Sequence, residues 1–209
     1  MKELEEILEK TLLSRAAKIP SKDGMHTVLA VLTAAYGIIQ AKNKFPTSKQ
    51  ISLIAIRVII DCCCHLQLAL LTNNKDRFYK HFLSGKPNNQ FKMGKLEISD
   101  AYLRKELGKR FEGIDKTYRE ASKGIHPSNC ALNEFELVDS YVGYLDYEYE
   151  KWNEEFELMD YDLETATICL LMLTDELIRF YNPDYQYEEL KELKFMCNIV
   201  EDDVQPEDK

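Results

Sequence analysis

Ser48-Lys-Gln-Ile-Ser-Leu-Ile-Ala-Ile-Arg57-Val-Ile-Ile-Asp61-Cys-Cys-Cys-His65-Leu-Gln-Leu-Ala-Leu-Leu-Thr72 reads as a helix that is apolar on almost every side. Thr47 and Gln50, after Pro46, match a capping box that opens it. An all-round apolar helix has to be covered on several faces at once, so Ser48–Thr72 is expected at the centre of a bundle. Arg57, Asp61 and His65 interrupt it at intervals of four and form one polar stripe, with neighbours able to touch at i, i+4. The plain structural reading of that stripe is a partly buried ion pair. The functional reading is a supporting shell for a site elsewhere, or a cleft in which Asp61 orients His65. The same charges argue against a membrane span, because each central charge costs roughly 2.5–3.5 kcal/mol in a bilayer.

Working outward, the pattern is helix upon helix. Lys2–Lys18 and Met25–Lys42 precede the central segment, with a turn at 19–24. Lys75–Ser84 follows, then a loop, Lys86–Gly94, as the candidate mobile segment. Ser99 is placed to cap Asp100–Leu107, and Gly108 is expected to break that helix. A further helix is expected over Ile114–Ile125, another over Leu163–Tyr181 with Asp162 as its cap, and a last one over Asp184–Asn198. Residues 138–150 alternate in part like a strand, and they read either as a small β or irregular insertion or as helix. The expectation is an all-α, single-domain bundle of seven to eight helices over residues 1–209, with a frayed acidic tail at 200–209. With only 8 Gly and 6 Pro in 209 residues, the tight turns of a sandwich or barrel are disfavoured.

Charge is divided unevenly. The net charge is −9. Lys75–Lys123 nevertheless carries 13 Lys and Arg against 7 Asp and Glu, leaving 14 against 29 for the remainder. The acidic excess concentrates in Asp139–Glu164, interleaved with Tyr141, Tyr144, Tyr147, Tyr149, Trp152, Phe156 and Tyr161. That stretch is either a solvated face at the edge of an aromatic core or a surface for a protein partner. It would repel RNA in either case, so any phosphate site belongs to the basic block.

At the end of the basic block lies Gly113-Ile-Asp-Lys-Thr-Tyr-Arg119-Glu-Ala-Ser-Lys123-Gly-Ile-His126-Pro-Ser-Asn129. Tyr118, Ala121, Ser122 and Ile125 share the face expected to meet the core. Arg119 and His126 return to nearly the same helical angle, displaced by about 10 Å, with Lys123 between them. Pro127 disfavours helix at His126, so the imidazole is expected at the helix end. There the carbonyl dipole raises its pKa and Arg119 opposes the rise.

Arg119-Glu-Ala-Ser-Lys-Gly-Ile-His126 resembles the motif of the HEPN superfamily, in which Arg, a polar residue and a short spacer precede His. Glu120 stands where that family usually has Asn, Asp or His, and the spacer is at the long limit and contains Gly124. The resemblance implies a helical, dimeric, metal-independent RNA endonuclease of a kind found in toxin and defence systems. Arg119 and His126 would be catalytic, and two copies of the pair would meet across a two-fold axis. Lys116 and Lys123 would contact RNA, and Arg57, Asp61 and His65 would support the pair. No metal and no cofactor is expected.

Other chemistry is thin. Cys62, Cys63 and Cys64 point about 100° apart on a helix and cannot jointly hold a tetrahedral ion. No P-loop, dinucleotide glycine motif, nucleophile elbow or HExxH is present. Six cysteines without a secretory leader point to a reducing cytoplasm and no membrane attachment. Two rival readings stand beside the nuclease. One is a non-enzymatic helical module whose 139–164 surface binds a protein, and the other is a small-molecule enzyme or sensor built on Arg57, Asp61 and His65.

Overall fold

The computed structural model describes residues 5, 6, 8–10, 22–45, 49–71, 91–93, 96–125 and 145–185. Within them run α1 (Lys22–Lys44), α2 (Lys49–Leu71), β1 (Phe91–Met93), β2 (Leu96–Ile98), α3 (Asp100–Arg110), α4 (Ile114–Ile125) and α5 (Leu145–Tyr181), while residues 5, 6 and 8–10 are also helical. The class is all-α. Six helical segments fall among the described residues, against the seven to eight expected. The helices expected at 75–84 and beyond 185, the capping box at Thr47 and the tail at 200–209 lie outside the described residues.

Helix α2 is the hub. It packs against α1, α3, α4 and α5, most extensively against α5. Ser52, Leu53, Ala55, Ile56, Ile59, Ile60, Cys62, Cys63, Cys64, Leu66, Gln67, Leu68 and Ala69 are all buried, so four neighbours consume its apolar circumference. By length and composition it is the one described helix that could cross a bilayer. Helix α1 meets it along Val28, Val31, Leu32, Ala35 and Ile39, at helical spacing. Buried Lys42 ends that row and is neutralised by Asp160 of α5 at 3.2 Å. Two buried hydroxyls of α5 are served locally: those of Thr167 and Thr174 donate to the carbonyls of Leu163 and Leu170, at 2.7 and 2.8 Å.

Several local expectations are corrected. Asp162 does not start a helix; α5 is continuous from Leu145, so residues 145–150 are helical rather than a β or irregular insertion. Neither Gly nor Pro occurs between Leu145 and Tyr181, and the turn comes only at Asn182-Pro183. Asp162, inside α5, instead accepts a hydrogen bond from Thr117 of α4 at 3.4 Å. Gly108 does not end α3, which continues to Arg110. A single Gly costs a helix only about 1 kcal/mol, and packing of Leu103 and Leu107 offsets it. The loop expected at 86–94 contains β1, which pairs antiparallel with β2 and sets Phe91 opposite Ile98; helix α1 likewise begins at Lys22, inside the expected turn.

Ser99 caps α3 as expected, its hydroxyl accepting from the Tyr102 amide at 3.1 Å. Between α3 and α4 the chain reverses at Gly113, whose φ of 83° is a left-handed conformation that favours glycine. The elbow brings α3 and α4 side by side over the polar stripe of α2.

Candidate functional site

Helix α4 divides cleanly into two faces. Ile114 and Ala121 are buried and Tyr118 and Ile125 half-buried, which is the inward face the periodicity predicts. Lys116, Arg119, Glu120 and Lys123 are exposed on the other side. The Arg119 side chain is 70% exposed and bonds Asp115 one turn earlier, through Nε at 3.0 Å and through Nη2. That carboxylate, by accepting both bonds, holds the guanidinium more firmly protonated than usual. Lys116 lies 3.9 Å from Glu120, a loose surface pair. His126 lies just past α4, outside the described residues.

Asp115 has a second neighbour. Nε of Arg104, on α3, stands 3.5 Å from its other oxygen, Oδ1. The Arg104 side chain is only 16% exposed, and its guanidinium lies 4.2 Å from the centre of the Tyr118 ring. Arg57 of α2 lies 5.7 Å from the centre of that ring and 3.8 Å from Asp61. Burial raises the pKa of Asp61, and Asp100 adds to the rise. Arg57, Arg104 and a hydrogen bond from the Tyr118 hydroxyl pull it down without cancelling it. His65, one turn further along α2, is half-buried. The stripe on α2 and the motif helix are therefore parts of one polar cluster, joined through Tyr118 and Arg104.

Of the residues singled out by sequence, Arg57, Asp61 and Tyr118 come together here. Arg119 is reached through Asp115, and Lys116 and Lys123 share its exposed face. Sequence reading missed Asp115 and Arg104. Asp115 was detectable as an acid four residues before an Arg on a helix. Arg104 was not, because it arrives on another helix.

No family model matches the chain, and neither does any curated protein or solved structure. The site is accordingly argued from its own residues. An exposed guanidinium with two of its donors aligned by a carboxylate suits a phosphate oxygen pair. The flanking lysines suit the rest of a polyanion. The cysteines offer nothing comparable. Cys62, Cys63, Cys64 and Cys169 are buried free thiols. Burial pushes the Cys62 thiol up to about 12, while Cys62 and Cys63 donate to the carbonyls of Val31 and Ala166, each at 3.7 Å. Such thiols are packing groups, inert as nucleophiles.

Proposed function

We infer that this protein is a HEPN-like RNA-binding protein that cleaves RNA without a metal. The observation that carries the reading is the outer face of α4, where Arg119 stands exposed between Lys116 and Lys123 with its guanidinium oriented by Asp115. A polyanion lying along this face would meet three cations on successive turns, and only one of them is shaped for bidentate contact.

The chemistry follows from the resemblance. The ribose 2′-oxygen attacks the adjacent phosphorus, and the bond from phosphorus to the 5′-oxygen breaks. His126 takes the proton of the 2′-hydroxyl or supplies one to the leaving 5′-oxygen, depending on the side from which it approaches. Arg119 neutralises charge growing on the non-bridging oxygens. The products are a 2′,3′-cyclic phosphate and a free 5′-hydroxyl. In the dimer that the resemblance implies, two copies of Arg119 and His126 face one another. The test is cleavage of a mixed RNA pool in EDTA by wild type, Arg119→Ala and His126→Ala. Loss in both folded variants, by about 100-fold or more, is the expected result. Cleavage that survives both substitutions would sink the assignment.

One observation favours the second reading, a protein-binding module. Tyr161 is 67% exposed on α5, inside the acidic aromatic stretch. An exposed tyrosine among acids is an interface residue type. Under this reading Tyr161→Ala weakens capture of a basic partner and the α4 cations are dispensable.

A further inference from the structure

Arg104 carries an oddity that the surrounding salt bridges do not remove. Its Nε is buried, and among the described residues nothing accepts a hydrogen bond from it. A buried N–H of a charged group without an acceptor is costly. Oδ1 of Asp115 stands 3.5 Å away, beyond the usual hydrogen-bond length, and does not bond it. The other oxygen of Asp115, Oδ2, is engaged by Nε and Nη2 of Arg119. An advance of about 0.3–0.6 Å would bring Oδ1 within hydrogen-bond length of Arg104. Arg104 itself is fixed for that role by the Tyr118 ring beneath its guanidinium.

We propose that Asp115 is a two-position clasp, bonded to Arg119 while the α4 face is empty and moving onto Nε of Arg104 when a phosphodiester takes Arg119. Resting on the RNA reading above, this adds its regulation: the substrate-binding arginine is held in reserve, and Arg104 is the positioning residue that receives the displaced carboxylate. An anion on Arg119 then has no need to strand a half-buried carboxylate, because a waiting donor satisfies it. With its side chain largely shielded, Arg104 acts through Asp115 and does not touch RNA.

The clasp is read directly in the arginine Nε–Hε resonances of the 15N-labelled full chain, titrated first with inorganic phosphate and then with single-stranded RNA. The expected result is that Arg119 and Arg104 shift together, Arg104 moving downfield as it gains its acceptor, and that Asp115→Ala, which leaves no acceptor, abolishes the Arg104 response. Arg104→Lys, which keeps the charge but lacks Nε–H, is expected to weaken RNA binding by about tenfold, the worth of one charge-assisted hydrogen bond. In an Asp115→Ala background the same change has no further effect, whereas a merely structural role for Arg104 would persist there. An Arg104 resonance that stays still while Arg119 shifts overturns the clasp. A paired response to phosphate with none to RNA keeps the clasp and overturns the RNA reading. No response of Arg119 to either anion overturns both.

Discussion

Asp61 shows how a single carboxylate can be surrounded by cations and still be held in an unfavourable place. Burial is the largest influence, and burial and repulsion from Asp100 together outweigh Arg57, Arg104 and the Tyr118 hydroxyl, so its folded pKa lies above its unfolded one. An acid shifted in this direction binds protons more readily in the folded state. Its stability contribution is therefore best below the ordinary carboxylate range and declines as pH rises through the raised folded value. Asp61→Asn, which keeps the size and an acceptor for Tyr118, is expected to melt no lower than wild type at pH 7. Its relative advantage should shrink toward pH ~4, below which both side chains are neutral. Thermal melts of the two proteins at the two pH values decide it, and a variant much less stable at pH 7 would show that the Arg57 pair outweighs burial.

At the scale of elements, α3 is a short helix with a disproportionate role. It buries only Leu103 and Leu107 along its length, yet it delivers Arg104 to the polar cluster. It also delivers Arg110, which donates to Gln67 of α2 at 2.9 Å and pairs with Glu176 of α5. With so little apolar surface, its position leans on its cap. Ser99→Ala removes the acceptor for the Tyr102 amide and is expected to cost about 1 kcal/mol in chemical denaturation. Because α3 carries Arg104, the same change should loosen the Arg119 clasp before it unfolds the protein. Ser99→Asp, also an acceptor, should restore both.

For the molecule as a whole, stability is concentrated in α2. Each neighbouring helix packs on it, so a cavity there is felt by every interface. Ile59 is fully buried. Ile59→Ala is expected to cost about 2–5 kcal/mol in a urea or thermal titration, as a loss of global rather than local stability. An equivalent loss confined to one helix, seen as a separate early transition, would contradict the hub arrangement.

Much of this architecture was legible in the sequence, for a physical reason. The all-round apolar run of α2, the two-faced pattern of α4 and the Ser99 cap are local patterns whose period or side-chain chemistry fixes the outcome wherever the segment lies. The extent of α5 is written there too, in the absence of Gly and Pro from Leu145 to Tyr181, which outweighs the alternation near Tyr147. The site divides differently. The sequence by itself placed Arg119 and Lys123 along one edge of α4, with His126 at its end, and Arg57, Asp61 and His65 on one stripe, because helical spacing dictates who shares a side. Only the tertiary structure decided that stripe and motif meet, and that they meet through Arg104 and Tyr118. That juxtaposition depends on the Gly113 elbow folding α4 back along α3 over α2, and on which side chains are buried together there. Contacts of that kind join residues far apart in the chain, and no period within a single helix encodes them.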